Sequence, residues 1–212
     1  MKQYNNEPTI ISLTSWTERI RTVGLTLFSL LRQCPQSHII LVLSEAEFPN
    51  KMDALPSDVR QLTDKNLIEI YWVYENMKSF KKVIPNMRRF ASVPIISADD
   101  DCIYTCNYAK ALYEAHIKYP TMPINYRKSS FAYCTCGPAT LYPPNLYNYI
   151  INEYDKLPPS GCQDDGFFAD IFRKANVQPL HITDKFPCFF HDETRPITGS
   201  CNVAAWRRDQ SF

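Results

Sequence analysis

Val93-Pro94-Ile95-Ile96-Ser97-Ala98-Asp99-Asp100-Asp101 is the stretch on which the reading of this chain turns. A short apolar run that ends in small residues predicts a buried strand. Three carboxylates then follow without a spacer. Open α/β sheets bind their ligands just outside the carboxyl ends of the strands. On an extended or turning backbone Asp99 and Asp101 are expected on one side, ligating one metal, with Asp100 pointing elsewhere, toward a ribose hydroxyl. A hard cation with open positions naturally bridges a diphosphate. A solvated acidic turn has the same sequence, and the triplet alone does not separate the two readings.

The flanking segments give the triplet a frame. Thr9 to Thr14 (TIISLT) predicts a first strand, with Ser15-Trp16-Thr17 as its exit loop. Val23, Leu27, Leu30 and Leu31 then share a helical face that stops before Pro35. His38 to Leu43 (HIILVL) is continuously apolar, as a strand buried on both faces must be. Pro49 to Asp64 reads as a polar linker with one short helix at most, and Leu67 to Val73 as a third strand. After the triplet, Asn107 is placed to cap a helix carrying Tyr108, Ala111, Leu112 and Ala115, which Pro120 ends. Ile124-Asn125-Tyr126 and Phe131 to Cys136 look like shorter strands. Leu146, Tyr149, Ile150 and Tyr154 mark one late helix and Asp165 to Ala175 another, with Phe167, Phe168, Ile171 and Phe172 as its apolar side. The tail from Pro187 shows little periodicity. Strands alternating with helices predict an α/β fold, a largely parallel sheet with right-handed crossovers.

Composition narrows the function classes. A chain of 212 residues, 45% hydrophobic and 13% aromatic, is long enough for one well-filled domain. A net charge of +1 argues against a general nucleic-acid binder. Sixteen prolines against only 5 glycines, with no GxGxxG or GxxxxGK[ST], speak against a glycine-rich phosphate loop. Met1 to Glu7 lacks the apolar segment of a signal peptide, and no stretch approaches the roughly 18 apolar residues of a membrane span. A cytoplasmic location is therefore expected, with room for peripheral association at the inner face of the membrane. The 8 cysteines are read as free thiols, several of them small core residues. Cys134-x-Cys136 and Cys102-x3-Cys106 lack the CxxC spacing of common zinc sites.

The order of these pieces resembles the GT-A class of nucleotide-sugar-dependent glycosyltransferases, in particular small bacterial enzymes that build capsular or lipopolysaccharide-type glycans. Four segments carry the resemblance: PTIISLTSWTERIRTVGLTLFSLLRQ, YENMKSFKKVIPNMRRF, SADDD, and GPATLYPP followed by QDDGFFADIFRKAN. The first looks like the family's opening strand, nucleotide loop and helix. SADDD occupies the place of the DxD motif. The last two look like the acceptor-side loop and the acidic pair opening a helix. The pattern departs from the family where Cys134-Thr135-Cys136 precedes Gly137, in a loop usually richer in glycine, and at Gly166, where a bulkier residue is common.

The resemblance implies a single GT-A-like domain over 1–212, Rossmann-like with a mixed, mostly parallel sheet flanked by helices. Its nucleotide-binding half would run over about 8–101 and its acceptor-side half over about 102–212. It implies a metal-dependent, inverting transfer of a hexosyl-type sugar from a nucleoside-diphosphate sugar to a glycan or lipid-linked acceptor in surface polysaccharide synthesis. Asp99 and Asp101 would hold Mn²⁺ or Mg²⁺ as the charge sink for the leaving diphosphate. Lys81 or Lys82 would contact the donor. Lys78, Arg19 and Arg21 are further phosphate candidates that solvated helix faces explain as well. Thr14 and Ser15 can hydrogen-bond a base or ribose, and Trp16 stands open between stacking on the nucleoside and packing in the core. By the match to the acidic pair, Asp165 is the base and Asp164 its orienter or an acceptor contact, although either also suits a helix start. His181 and His191-Asp192 are candidates for a further metal ligand from the C-terminal segment. Two other classes stay open: a nucleotidyltransferase, and a catalytically degenerate domain that binds a glycan or a partner.

Overall fold

A computed structural model describes residues 9–33, 37–126, 139–157, 164–182 and 188–190. The order of elements begins β1 (Thr9–Thr14), α1 (Val23–Leu30), β2 (Ser37–Ser44), α2 (Ser57–Asp64), β3 (Glu69–Val73), α3 (Ile84–Arg89) and β4 (Ile95–Ala98). It continues β5 (Cys102–Tyr104), α4 (Tyr108–Lys118), β6 (Ile124–Asn125), β7 (Thr140–Tyr142), α5 (Tyr147–Tyr154), α6 (Asp164–Lys174), β8 (Leu180–His181) and β9 (Cys188–Phe190). The main sheet has 7 strands in the order β3-β2-β1-β4-β7-β6-β8. Every pairing in it is parallel except those of β7, which runs antiparallel to both β4 and β6. β5 and β9 form a separate antiparallel pair.

Helices cover both faces of the sheet, and the period-2 alternation of β1 shows why. Ile11 and Leu13 face one core with Val23, Leu27 and Leu30 of α1, Val59 and Leu62 of α2, and Leu112 of α4. Ile10 faces the other with Ile84 and Met87 of α3, Ile150 of α5, and Phe167, Phe168, Ile171 and Phe172 of α6. β2 is buried on both faces from Ile39 to Ser44, the environment its continuous apolar run predicts. This is an α/β fold with a mixed, mostly parallel sheet.

Several elements differ from the sequence reading. Pro49 to Asp64 contains the one short helix that its reading allows, but that helix is packed: a 3-10 turn at Lys51–Ala54 leads into α2, whose Val59 and Leu62 are buried at helical spacing. α3 was not predicted; Pro85 sits in its first turn, where a missing N–H costs nothing. Asn107 precedes α4 but makes no side-chain cap. Instead Gln33, in the turn after α1, accepts the Ala109 amide at 3.1 Å and donates to the Thr105 carbonyl at 2.7 Å. A remote side chain thus satisfies a helix-end donor that local capping would otherwise serve. The tail from Pro187, which shows little periodicity, supplies β9. The strand expected at Phe131 to Cys136 lies outside the described residues. Among the described residues no helix is long and apolar enough to cross a membrane.

Candidate active site

The site lies at the carboxyl ends of β1, β2 and β4. After β1 the chain tightens at once: the Trp16 carbonyl accepts the amides of Arg19 and Ile20 at 3.0 and 2.9 Å. This turn carries Arg19 inward, where its guanidinium meets the end of β4. Nη1 donates to Asp100 Oδ1 at 2.7 Å and to Asp101 Oδ2 at 3.0 Å. Ser15 Oγ donates to Asp100 Oδ2 at 2.6 Å, and Thr26 Oγ1 to the Asp100 carbonyl at 2.9 Å. Asp100 and Asp101 are both buried, Asp101 completely. Burial pushes the Asp100 carboxyl up, while Arg19 and Ser15 oppose the shift.

Asp99 has a different environment. Its side chain keeps 23% exposure and its Oδ1 lies 2.9 Å from Lys82 Nζ. The triplet is therefore divided between two cations: Arg19 takes Asp100 and Asp101, while Lys82 takes Asp99. The reason is local. Asp100 and Asp101 form a turn between β4 and β5, so strand alternation stops at Ala98.

Lys81 and Lys82 end a 3-10 turn at Lys78–Lys82. At about three residues per turn, consecutive side chains point in different directions. Lys81 reaches back to an ion pair with Glu47, beyond β2, and to Asn76 Oδ1 at 3.2 Å. Burial lowers its pKa against the pull of Glu47. Lys82 reaches across to Asp99 and also to Asp164 Oδ2, at 2.8 Å. Burial works against the Lys82 charge, but Asp164, Asp99 and Asp165 outweigh it and hold the ammonium well above its ordinary range. Asp164 and Asp165 occupy the first turn of α6. Burial raises the Asp164 carboxyl, yet contact with Lys82 brings it below the usual range. Burial and the neighbouring Asp164 charge push Asp165 up to about 7.

The structure thus brings together Ser15, Arg19, Lys81, Lys82, Asp99, Asp100, Asp101, Asp164 and Asp165. Thr14 commits its hydroxyl to the Val42 carbonyl at 2.7 Å, and Trp16 is half-buried. His181 stands apart in β8, hydrogen-bonded to Asn125 of β6. His191 and Asp192 lie outside the described residues. Among the described residues no three His, Cys, Asp or Glu side chains are grouped closely enough to hold a metal by themselves. Sequence reasoning missed Glu47 and the cleft beside it, of about 410 Å³, lined by Thr17, Arg21, Glu47, Phe48 and Pro56 among others. No local motif marks that cleft; it exists because α2 and its preceding turn fold back beside the β1 exit loop.

No protein family model matches the chain, and no curated protein matches it in sequence. Solved structures do match in fold. The mannosyltransferase PcManGT from Pyrobaculum calidifontis, in complex with GDP-Man and Mn²⁺, is 14% identical with a TM-score of 0.64, over 98% of this chain and 61% of its own. Residues 1–349 of S. aureus TarS match with 10% identity and a TM-score of 0.61, over 87% of this chain and 60% of that one. The 4-diphosphocytidyl-2C-methyl-D-erythritol synthase from Anaerococcus prevotii is 11% identical with a TM-score of 0.59, over 98% and 97%. The chain thus spans about three fifths of the PcManGT and TarS chains and nearly all of the synthase. At such identities the likeness is one of fold: the chain has a GT-A-like fold.

Proposed function

We propose that the chain is a metal-dependent glycosyltransferase that moves a sugar from a nucleoside-diphosphate sugar to a glycan or lipid-linked acceptor, by inversion. One observation carries the proposal: Asp99, at the end of β4, and the acidic start of α6 converge on a single ammonium, Lys82. A donor-side carboxylate and acceptor-side carboxylates thereby face one space, as a displacement between a diphosphate and an incoming hydroxyl requires.

The residues fit a divalent cation of the kind present in the PcManGT complex. Carboxylate oxygens suit hard ions, and Asp99 is the partly open member of its triplet. The absence of a three-ligand cluster among the described residues suits an ion that keeps waters and binds through one or two carboxylates plus phosphates. The carboxylates of Glu47, Asp99, Asp100, Asp101, Asp164 and Asp165 outnumber the cations of Arg19, Lys81 and Lys82, so a diphosphate needs a further positive charge to enter. When bound, the ion supplies charge neutralisation on the leaving diphosphate.

The chain's own residues do the rest. Arg19 holds Asp100 and Asp101 in place and fixes the turn that presents Asp99. The cleft at Thr17, Arg21, Glu47 and Phe48 takes the nucleoside. Asp164, paired with Lys82, orients the acceptor side, and Asp165 takes the acceptor proton. Such an enzyme acts in the cytoplasm, at the inner face of the membrane when its acceptor is lipid-linked. Incubation with a panel of nucleotide sugars, with and without Mn²⁺, tests the reading. Mn²⁺-dependent release of a nucleoside diphosphate is the expected outcome. Release of pyrophosphate from a nucleoside triphosphate and a sugar phosphate would instead make the chain a nucleotidyltransferase. Donor binding without turnover would leave it a glycan- or partner-binding domain.

A further inference from the structure

Lys82 lies between the carboxylates of Asp99 and Asp164. Its side chain is only 9% exposed, and its Nζ sits 2.9 Å from Asp99 Oδ1 and 2.8 Å from Asp164 Oδ2. The ammonium is a compact point charge between two carboxylates from opposite halves of the fold, each still partly open to solvent at 23% and 14%. Lysine's flexible four-carbon stem lets such a charge change partners without moving the backbone. An ammonium and a divalent ion both seek Asp99 and repel each other at that range. Resting on the reading of Asp99 as a cation ligand, we infer that Lys82 is the site's own counter-cation when it is empty. The divalent cation reaches Asp99 only when an incoming diphosphate draws the ammonium away. Cation and diphosphate therefore bind together, and neither binds well alone.

The phosphate gives Lys82 a reason to leave. A diphosphate offers it several anionic oxygens, while the divalent ion takes over the charge of Asp99. Asp164 remains within reach of the ammonium, so the exchange needs a rotation about the lysine stem and no unfolding.

Mn²⁺ binding to the full chain, followed by the electron paramagnetic resonance signal of the free ion, tests this without turnover. Titrations are run with Mn²⁺ alone and with GDP or UDP present. The parent is expected to bind Mn²⁺ weakly alone and at least about tenfold more tightly with its preferred diphosphate. Lys82→Gln, and Lys82→Met with the stem's packing retained, should bind Mn²⁺ alone about tenfold more tightly than the parent, so that the further gain from the diphosphate is smaller than the parent's. Lys82→Arg, which keeps the charge, should resemble the parent. Asp99→Asn should abolish Mn²⁺ binding throughout. If folded Lys82→Gln and Lys82→Met bind Mn²⁺ alone no more tightly than the parent, while the parent binds Mn²⁺ with a diphosphate, this inference falls and the metal reading stands. If the parent binds Mn²⁺ under neither condition, both fall together.

Discussion

Asp164 and Asp165 are neighbours in sequence, yet they hold their protons in opposite ways. Lys82 keeps Asp164 ionised, whereas burial and the Asp164 charge raise Asp165 to about 7. A base works best when its pKa lies near the working pH, and only its carboxylate form accepts a proton. With Asp165 as the proposed base, turnover should rise with pH through about 7 and level off above it, a limb that Asp165→Asn removes. The same substitution should lower kcat by roughly 10²–10⁴-fold while leaving donor affinity nearly unchanged. Asp99→Asn should lose donor binding and turnover together. A steady-state pH profile and a calorimetric donor titration check both, and full turnover by Asp165→Asn would move the base elsewhere. The sequence made these carboxylates visible as candidates. It did not show that Arg19 claims Asp100 and Asp101, because that pairing depends on a turn after β1 meeting a turn after β4.

At the scale of elements, α6 was legible and its burial followed the pattern. Phe167, Phe168, Ile171 and Phe172 recur at helical spacing and all four are buried. Phe172 is fully buried beside Phe168 and Tyr142, so Phe172→Ala should cost about 3–5 kcal/mol, measured by denaturant unfolding. An unchanged midpoint would show that this face is not core. Gly166 lies within the same helix, and a Cβ there would meet no atom within 4 Å. Gly166→Ala should then stabilise the protein by about 0.5–1 kcal/mol, visible as a raised Tm. Long periodic elements such as β1, β2 and α6 could be read directly. The short strands β5, β7, β8 and β9 could not: two or three residues carry no period, and their assignment comes from a partner distant in the chain.

The whole molecule sets apolar layers against a polar seam. Ser12, Asn86 and Ser97 are completely buried within it, Asn86 donating to Ser12 at 2.7 Å. β1 and β2 lie at the centre of the parallel block, with Ile11, Leu13, Leu41 and Leu43 inaccessible to solvent. Amide exchange should be slowest at those residues and faster in β6 and β8, which are two-residue strands toward the end of the sheet. Equal protection across all strands would contradict a central stabilising block. Fold class was readable at this scale because β–α alternation is a long-wavelength signal. The site was readable only as ingredients, since its geometry joins residues from both ends of the chain.

The antiparallel strand β7 has a consequence for how the protein is made. β3, β2, β1 and β4 are all synthesised before the chain reaches Asp99, so the parallel block has its strands in hand early. One edge of β4 then waits for β7 until Thr140–Tyr142 emerges. An apolar strand with an unpaired edge is an invitation to aggregate on the ribosome or beside it. β4 is only 4 residues long, preceded by Pro94 and followed by Asp99, Asp100 and Asp101. Proline withholds a backbone donor and like charges repel a second copy in register. The acidic triplet thereby acts as a gatekeeper for the nascent chain, and neutralising it should lower soluble yield.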